Sequence, residues 1–135
     1  LPREELKTAK DLANLRGWKL TLIETQEFQQ PDYIKNDTNR CFYCKKELFE
    51  QMNQYAKQHH IKILAYGAIE DDKLDHRPGA IAADQYSVVA PLQEAGLFKK
   101  EIRELSQKRQ LPTANKASFA CLASRIPTGT PVSKH

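Results

Sequence analysis

The chain has 135 residues, of which 40% are hydrophobic and 28% are charged, with a formal net charge of +4 and a pI near 9.0. This composition is typical of one globular domain or part of one, and it excludes intrinsic disorder. No apolar stretch approaches the roughly 20 residues of a membrane span. The lysines are dispersed along the chain, which favours a small anionic ligand over nucleic acid.

Hydrophobic periodicity and turn residues predict alternating helices and strands. In chain order they are a helix over 2–16 that ends at Gly17, a strand over 18–23, a polar loop over 29–38, a helix from Asn39 to about His59, a strand over 61–66, an acidic loop from Glu70 to Asp75, a short helix over 78–83, a strand over 87–90, a helix around 98–109, and an extended tail from Leu111 onward. Strands separated by helices pair in parallel, so we expect an α/β fold that binds its ligands beyond the carboxyl ends of the strands.

The three cysteines are the most informative residues of the chain. Cys41 and Cys44 form a C-x-x-C pair, and Cys121 stands alone far downstream. A structural zinc site normally has four ligands, and a disulfide framework needs an even number of cysteines, so three thiols leave one metal position open. Free cysteines in an uneven number favour a reducing compartment, and we therefore expect a cytoplasmic protein.

The surroundings of the C-x-x-C pair predict reactive thiols. With Asn39 as the N-cap, Cys41 lies in the first helical turn, where unpaired N–H groups and the helix dipole favour an anion. Arg40 and Lys45 flank the pair, and their positive charge lowers a thiol pKa. The pair alone suits metal binding and redox chemistry equally, and two half-buried structural cysteines or half of a zinc knuckle are alternatives. Cys121 makes an iron–sulfur site the sharper interpretation, because clusters are held by cysteine thiolates.

Two further groups of residues indicate a phosphate-bearing ligand. Asp71 and Asp72 follow the second predicted strand, where paired carboxylates suit a magnesium ion shared with substrate phosphates. A solvated acidic loop is the alternative interpretation. Arg77 lies on a rigid turn and suits an anion. Ser124 and Arg125 could hold a phosphate in the tail, unless that segment is a mobile terminus.

Several motifs occur in the order in which one family carries them. They are Arg40–Lys45 (RCFYCK), Gly67–Asp72 (GAIEDD), Asp75–Gly79 (DHRPG), Pro91-Leu92 followed by Lys99–Arg103 (KKEIR), Leu111–Thr113 (LPT) and Ala120–Pro127 (ACLASRIP). From about Arg3 to Gly129 the chain resembles the LarE-type ATP-dependent sulfur transferases. These are PP-loop ATP pyrophosphatases that help to build the nickel-pincer nucleotide cofactor.

The resemblance implies a Rossmann-like adenine-nucleotide α-hydrolase fold with a parallel sheet. It also implies that ATP, with Mg²⁺, adenylates a carboxylate of pyridinium-3,5-dicarboxylate mononucleotide, after which sulfur displaces AMP and leaves a thiocarboxylate. In one kind of family member the cysteine that matches Cys121 gives up its own sulfur and becomes dehydroalanine. In the other kind, three cysteines hold a [4Fe-4S] cluster that carries the sulfur, and this chain is similar to that kind. The implied roles are catalysis for Cys121, cluster ligation for Cys41, Cys44 and Cys121, ATP and magnesium binding for Asp71 and Asp72, and substrate or phosphate contact for Arg40, Arg77, Ser124 and Arg125.

The resemblance also predicts how the chain is organised. The family's phosphate-binding loop and first strand would precede Leu1, so we expect a fragment that is inactive alone. Residues 1–111 then form the central and carboxyl-terminal part of a PP-loop ATPase domain, and 112–135 form a cysteine-bearing segment that leads to a further domain. An open sheet edge in such a piece predicts a homo-oligomer. The alternative functions are a PP-loop tRNA thiolase and a binding module whose C-x-x-C pair holds structural zinc.

Overall fold

The computed structural model of the chain describes residues 2–74, 78–118 and 121–133. Helices dominate these ranges: α1 (Arg3–Arg16), α2 (Pro31–Ile34), α3 (Arg40–Gln58), α4 (Pro78–Gln85), α5 (Pro91–Glu94) and α6 (Lys99–Lys108), with short 3₁₀ helices at Glu27–Gln29, Glu70–Leu74 and Leu122–Arg125. The predicted long helices and the Gly17 stop are confirmed. None of the helices within the described ranges is long and apolar enough to cross a bilayer.

All six of these α-helices are followed within two residues by a residue of positive φ. In chain order these residues are Gly17, Asn36, His60, Ser87, Gly96 and Gln110, at 64°, 53°, 55°, 53°, 66° and 54°. After α6, for example, the Leu111 N–H donates to the Ser106 carbonyl oxygen at 2.9 Å, which satisfies a carbonyl that the helix leaves unpaired. Two of these positions are glycine, so the other four carry a residue for which this conformation is less favourable.

The core lies between α3 and α4. Phe49 on α3 and Ala82 on α4 are fully buried, and Ala83 and Val88 complete the cluster. The half-buried side chains packed around it are Phe42, Leu48, Met52, Leu64, Tyr66 and Tyr86. Leu48, Phe49 and Met52, which lie on one side of α3, therefore form one side of this core.

The three predicted strands are not formed as strands, which corrects that expectation. Within the described ranges the only pairing is one isolated parallel bridge between Ala65 and Val89. In it, the Tyr66 N–H donates to the Val89 carbonyl oxygen, and the Val89 N–H donates to the Leu64 carbonyl oxygen, each at 2.9 Å. Residues 18–23 are extended but form no ladder with another described segment. A strand needs a neighbouring segment to pair its backbone groups, whereas a helix pairs them within itself.

Polar contacts attach α1 to the segment that follows α6. The Arg16 guanidinium donates to the carbonyl oxygens of Arg109 and Gln110 at 2.6 and 2.7 Å. The Lys116 ammonium and the Glu5 carboxylate form an ion pair at 2.6 Å. The amino-terminal helix and the start of the tail are thereby joined, although they are far apart in sequence.

Candidate functional site

The amino-terminal end of α3 presents two of the three cysteines. Asn39 occupies the N-cap position, as predicted, but its side chain makes no capping hydrogen bond. Its backbone carbonyl instead accepts from the Phe42 and Tyr43 N–H groups at 2.9 and 3.2 Å. Cys41 is exposed and Cys44 is half-buried, and both are free thiols. A spacing of three residues places both cysteines on the same side of the helix.

Residues 121–133, which we call the Cys121 segment, begin with the third cysteine and contact the chain just before α3. The Asn36 side-chain amide donates to the carbonyl oxygens of Pro127 and Thr130, both at 2.8 Å. The Gly129 N–H donates to the Asn36 carbonyl oxygen at 2.8 Å, and the Val132 N–H donates to that of Ile34 at 3.0 Å. The tail is therefore held against the turn between α2 and α3.

Arg40 lies between the two parts of the site. One nitrogen of its guanidinium donates to the Asn36 side-chain oxygen at 2.6 Å and to the Ala123 carbonyl oxygen at 2.7 Å. Its other terminal nitrogen lies 3.8 Å from the Cys41 sulfur. The positive charge of Arg40 also acts on Cys121. Arg40 thus connects the C-x-x-C turn with the Cys121 segment, and its predicted contact with substrate stays a prediction.

The structure gives Cys44 and Cys121 opposite tendencies to ionise. Burial raises the pKa of the Cys44 thiol, and the Glu27 carboxylate raises it further, while Lys45 opposes both. Burial also acts to raise the pKa of Cys121, but hydrogen bonds from Ser124 and the charge of Arg40 outweigh it and lower that pKa below its ordinary value. The expectation of a lowered pKa is therefore wrong for Cys44, because burial dominates over the helix end and the flanking charges.

Ser124 supports Cys121 from one turn of 3₁₀ helix. Its hydroxyl donates to the Cys121 carbonyl oxygen at 2.7 Å, and its backbone N–H approaches the same oxygen at 3.1 Å. The hydroxyl has a single hydrogen, so it can serve the carbonyl or the thiolate but not both at once. Ser124 and Arg125 are exposed, and both stay candidates for phosphate contact.

The three thiols form one electrostatic group. The charges of Cys121 and Cys41 both act on Cys44, and those of Cys44 and Cys121 act on Tyr33. Within the part of the chain that the structure describes, no three His, Cys, Asp or Glu side chains are arranged to hold a single metal ion. A four-iron cluster binds each cysteine through a different iron, so it does not require the sulfurs to converge on one point. The donor chemistry of the three thiols fits such a cluster.

The two predicted magnesium ligands have separate surroundings. The Asp71 carboxylate accepts from the Lys99 N–H at 2.8 Å, at the amino-terminal end of α6, where a negative charge is favourable. The Asp72 carboxylate accepts from the Ile69 N–H at 2.9 Å. Asp71 thus has a structural contact that the sequence did not predict, and its magnesium role stays a prediction.

Asp72 faces a cleft that α3 also borders. The cleft has a volume of about 240 Å³ and is lined by Lys45, Tyr66, Gly67, Ala68, Asp72, Gly79, Ala80 and Gln93. A Cβ atom at Gly79 would lie 3.0 Å from the Lys45 Cγ atom and 3.7 Å from the Cys41 carbonyl oxygen. Helix α4 therefore begins directly against the C-x-x-C turn, and the acidic residue and the cysteine helix border one cleft beyond the Ala65–Val89 bridge. Arg77, the other predicted anion contact, lies outside the described residues.

Sequence reasoning missed three residues around the thiols. Asn36 was assigned only to a loop, although Asn before Asp marks a position that tolerates positive φ. Glu47 is 5% exposed and accepts hydrogen bonds from the Gln26 N–H and from the side chains of Gln30 and Gln51. Glu27 has a buried carboxylate oxygen without a hydrogen-bond partner among the described residues. No sequence period indicates buried carboxylates of this kind.

The chain is similar to proteins of three microorganisms. It is 36% identical over 126 residues to an uncharacterized protein of Synechocystis, covering 93% of this chain and 47% of that protein. It is 33% identical over 128 residues to the pyridinium-3,5-bisthiocarboxylic acid mononucleotide synthase of Lactiplantibacillus plantarum, covering 94% of this chain and 46% of that enzyme. An uncharacterized protein of Methanocaldococcus jannaschii is 28% identical over 93 residues, covering 69% of this chain and 36% of that protein. The chain thus spans about half the length, or less, of these relatives. No family model matches the sequence.

Proposed function

We propose that the protein containing this chain is an ATP-dependent sulfur transferase that converts a carboxylate of pyridinium-3,5-dicarboxylate mononucleotide into a thiocarboxylate. The observation that carries the proposal is the docking of the Cys121 segment on the amino-terminal end of α3, which joins the segment that bears Cys121 to the helix end that bears Cys41 and Cys44. Similarity to a synthase of a pyridinium bisthiocarboxylic mononucleotide supports it.

The proposed reaction has two steps. A carboxylate oxygen of the substrate attacks the α-phosphorus of ATP, and pyrophosphate leaves. A sulfur nucleophile then attacks the activated carbonyl carbon, and AMP leaves with the electron pair of the broken C–O bond. Asp72, with Asp71, is proposed to bind magnesium on the ATP phosphates, because hard oxygen ligands suit that ion. Arg40, Arg77, Ser124 and Arg125 are proposed to contact the anionic parts of the substrates.

Cys121 is the proposed catalytic residue. Its lowered pKa supports the role, since a thiolate is the nucleophilic form of cysteine. Its sulfur could be the atom transferred, leaving dehydroalanine after the Cβ–S bond breaks and the Cα proton is lost. When bound to Cys41, Cys44 and Cys121, a [4Fe-4S] cluster would instead supply the transferable sulfide. The proposed task of the chain in that case is to hold three ligands and keep one iron open.

The single parallel bridge supports a proposed Rossmann-like PP-loop fold for the whole protein. It joins two of the three segments in which the sequence predicts parallel strands, and the cleft with Asp72 lies just beyond it. Ligands of parallel sheets bind at such an edge. A homo-oligomer and a cytoplasmic location stay predictions.

The proposal is tested with the full-length protein, ATP, Mg²⁺ and the pyridinium dicarboxylate mononucleotide. Mass spectrometry should detect exchange of one carboxylate oxygen for sulfur, and pyrophosphate should be released in equal amount. Iron, acid-labile sulfide and zinc are measured after anaerobic reconstitution of the parent and of Cys41→Ser, Cys44→Ser and Cys121→Ser.

The outcomes separate the alternatives. Iron and sulfide that bind in the parent and fall in all three variants support cluster-borne sulfur. Activity that needs Cys121 alone, with dehydroalanine found at that position, supports the cysteine as donor. Zinc that is unaffected by Cys121→Ser, with no thiocarboxylate formed, would instead indicate a structural zinc module. Thiolation of tRNA without thiocarboxylate formation would indicate the tRNA thiolase.

A further inference from the structure

Asn36 contacts the Cys121 segment through both its side chain and its backbone. It is 1% exposed and has a φ of 53°, in the left-handed region. Its two amide hydrogens are directed at the Pro127 and Thr130 carbonyl oxygens, and its side-chain oxygen accepts from Arg40. Its own backbone carbonyl accepts from Gly129. All of its side-chain polar groups are therefore satisfied inside the protein.

Asparagine suits this position for two physical reasons. It tolerates positive φ better than other residues with a Cβ atom. Its amide also offers two N–H donors and one oxygen acceptor, which the two tail carbonyls and the Arg40 guanidinium require. Aspartate has the same size and could still accept from Arg40. It would, however, place a carboxylate oxygen where the amide nitrogen now donates. That oxygen and the carbonyl oxygens of Pro127 and Thr130 would then face one another without a hydrogen-bond donor.

We propose that Asn36 is a positioning residue, which fixes the Cys121 segment on the amino-terminal end of α3 so that Cys121 lies within reach of Cys41 and Cys44. The Asn36 amide nitrogen also lies 3.5 Å from the Ile126 carbonyl oxygen, five residues after Cys121. Arg40 continues the same contact to Ala123, two residues from the thiol. The inference rests on the proposed function, because it assumes that the three cysteines act together.

The test is the rate at which Cys121 is joined to Cys41 or Cys44 by a short bis-maleimide. It uses the full-length protein before metal reconstitution, with the linked peptides identified by mass spectrometry. Asn36→Asp should lower this rate about tenfold, because the loss of two buried hydrogen bonds favours release of the segment. Asn39→Asp is the matched control. It adds the same charge three residues away, at an exposed position without a capping contact, and should keep the parental rate.

A second variant keeps the test decisive if Asn36→Asp does not fold. Gly129 has a φ of 87°, and a Cβ atom there would meet nothing within 4 Å, so Gly129→Ala acts through backbone strain alone. It should also slow the crosslink, while the far-UV circular dichroism stays that of the parent. A parental crosslinking rate in folded Asn36→Asp, or in Gly129→Ala when the former is unfolded, would overturn the proposal.

The readout is independent of the proposed reaction. If the parent forms no thiocarboxylate but the crosslink slows as expected, the proposed function fails and the positioning of Cys121 by Asn36 stands. If Asn36→Asp crosslinks slowly yet forms thiocarboxylate at the parental rate, the positioning of Cys121 by Asn36 stands and does not limit the reaction.

Discussion

Two regions of the molecule differ in how their backbone groups and apolar side chains are satisfied. Around the cysteines, α2, α3 and the Cys121 segment bury Tyr33, Asn36 and Phe49 to 4% exposure or less. In the extended segments 18–23 and 61–64, Leu22 and Ile63 are 54% and 70% exposed. Both regions contain strongly apolar sequence, so composition does not explain the difference.

The difference follows from where the hydrogen-bond partners lie. Helical backbone groups pair four residues away, and the side chains then pack on a neighbouring helix. Extended segments need a second segment beside them, and within the described ranges they obtain one only at the Ala65–Val89 bridge. The candidate site lies in the region where helices and the Cys121 segment are joined by long-range hydrogen bonds.

The largest expected effect compares an aromatic residue from each region. Phe49→Ala removes a fully buried ring and should lower the free energy of unfolding by about 3–5 kcal/mol. Trp18→Ala removes a larger ring that is 55% exposed, and should cost less than about 1 kcal/mol. Urea denaturation followed by circular dichroism measures both. Equal losses would mean that the extended segment is packed as well as the core.

The buried carboxylate of Glu47 gives the next largest effect. Glu47→Ala leaves three donors, from Gln26, Gln30 and Gln51, without their acceptor. The free energy of unfolding should fall by about 1.5–3 kcal/mol, because hydrogen bonds to a charged acceptor that is 5% exposed are lost. Glu24→Ala, at an exposed position of the extended region, is the control and should change it by about 0.5 kcal/mol or less. A small loss at Glu47 would contradict the described hydrogen bonds.

Tyr86→Phe tests a polar contact at the edge of the core. The Tyr86 hydroxyl donates to the Glu50 carboxylate at 2.8 Å, so its removal should cost about 1–2 kcal/mol. Burial, followed by the hydrogen bond to Glu50, raises the pKa of Tyr86 from 10.0 to about 12. The unfolded chain therefore releases this proton at a lower pH than the folded chain does.

The stability that the raised pKa of Tyr86 contributes is constant below pH 10 and is lost as the pH rises from about 10 to about 12. Denaturation of the parent and of Tyr86→Phe across this window should show a steeper decline in the parent. Parallel pH profiles would show that the tyrosine ionises alike in both states.

The smallest expected effect concerns the backbone conformation of Gln110, which follows α6. Gln110 has a φ of 54°, and Gln110→Gly should raise the free energy of unfolding by up to about 1 kcal/mol, because glycine adopts this conformation without strain. Gln54→Gly, at an exposed position within α3, should lower it by about 1 kcal/mol. Thermal unfolding of both variants measures whether the free energy of unfolding rises in Gln110→Gly and falls in Gln54→Gly. A loss in both variants would contradict the left-handed conformation at Gln110.

Helices α1, α3, α4 and α6 were predictable from the sequence alone, whereas the prediction of a loop over 29–38 is wrong for α2, and α5 was not predicted. Their periodicity, the Gly17 stop and the helix start at Asn39 depend on residues three or four positions apart, where local energetics decide the conformation. The C-x-x-C helix and Asp72 border one cleft, but parallel pairing does not account for it, because residues 18–23 form no ladder with another described segment. The regular strands did not follow, because pairing depends on a neighbour that local sequence does not specify.

The difference between the thiols depends on contacts made in the folded protein. The sequence predicts a lowered pKa for the C-x-x-C pair, yet burial and Glu27 raise the pKa of Cys44, and Ser124 and Arg40 lower that of Cys121. Arg40 and Ala123 are 83 residues apart, and Asn36 and Pro127 are 91 apart. The order of residues decided which side chains are available and which of them the long helices carry, because helix formation depends on residues three or four positions apart. Burial and long-range hydrogen bonds, which exist only after folding, decided which of them act on one another.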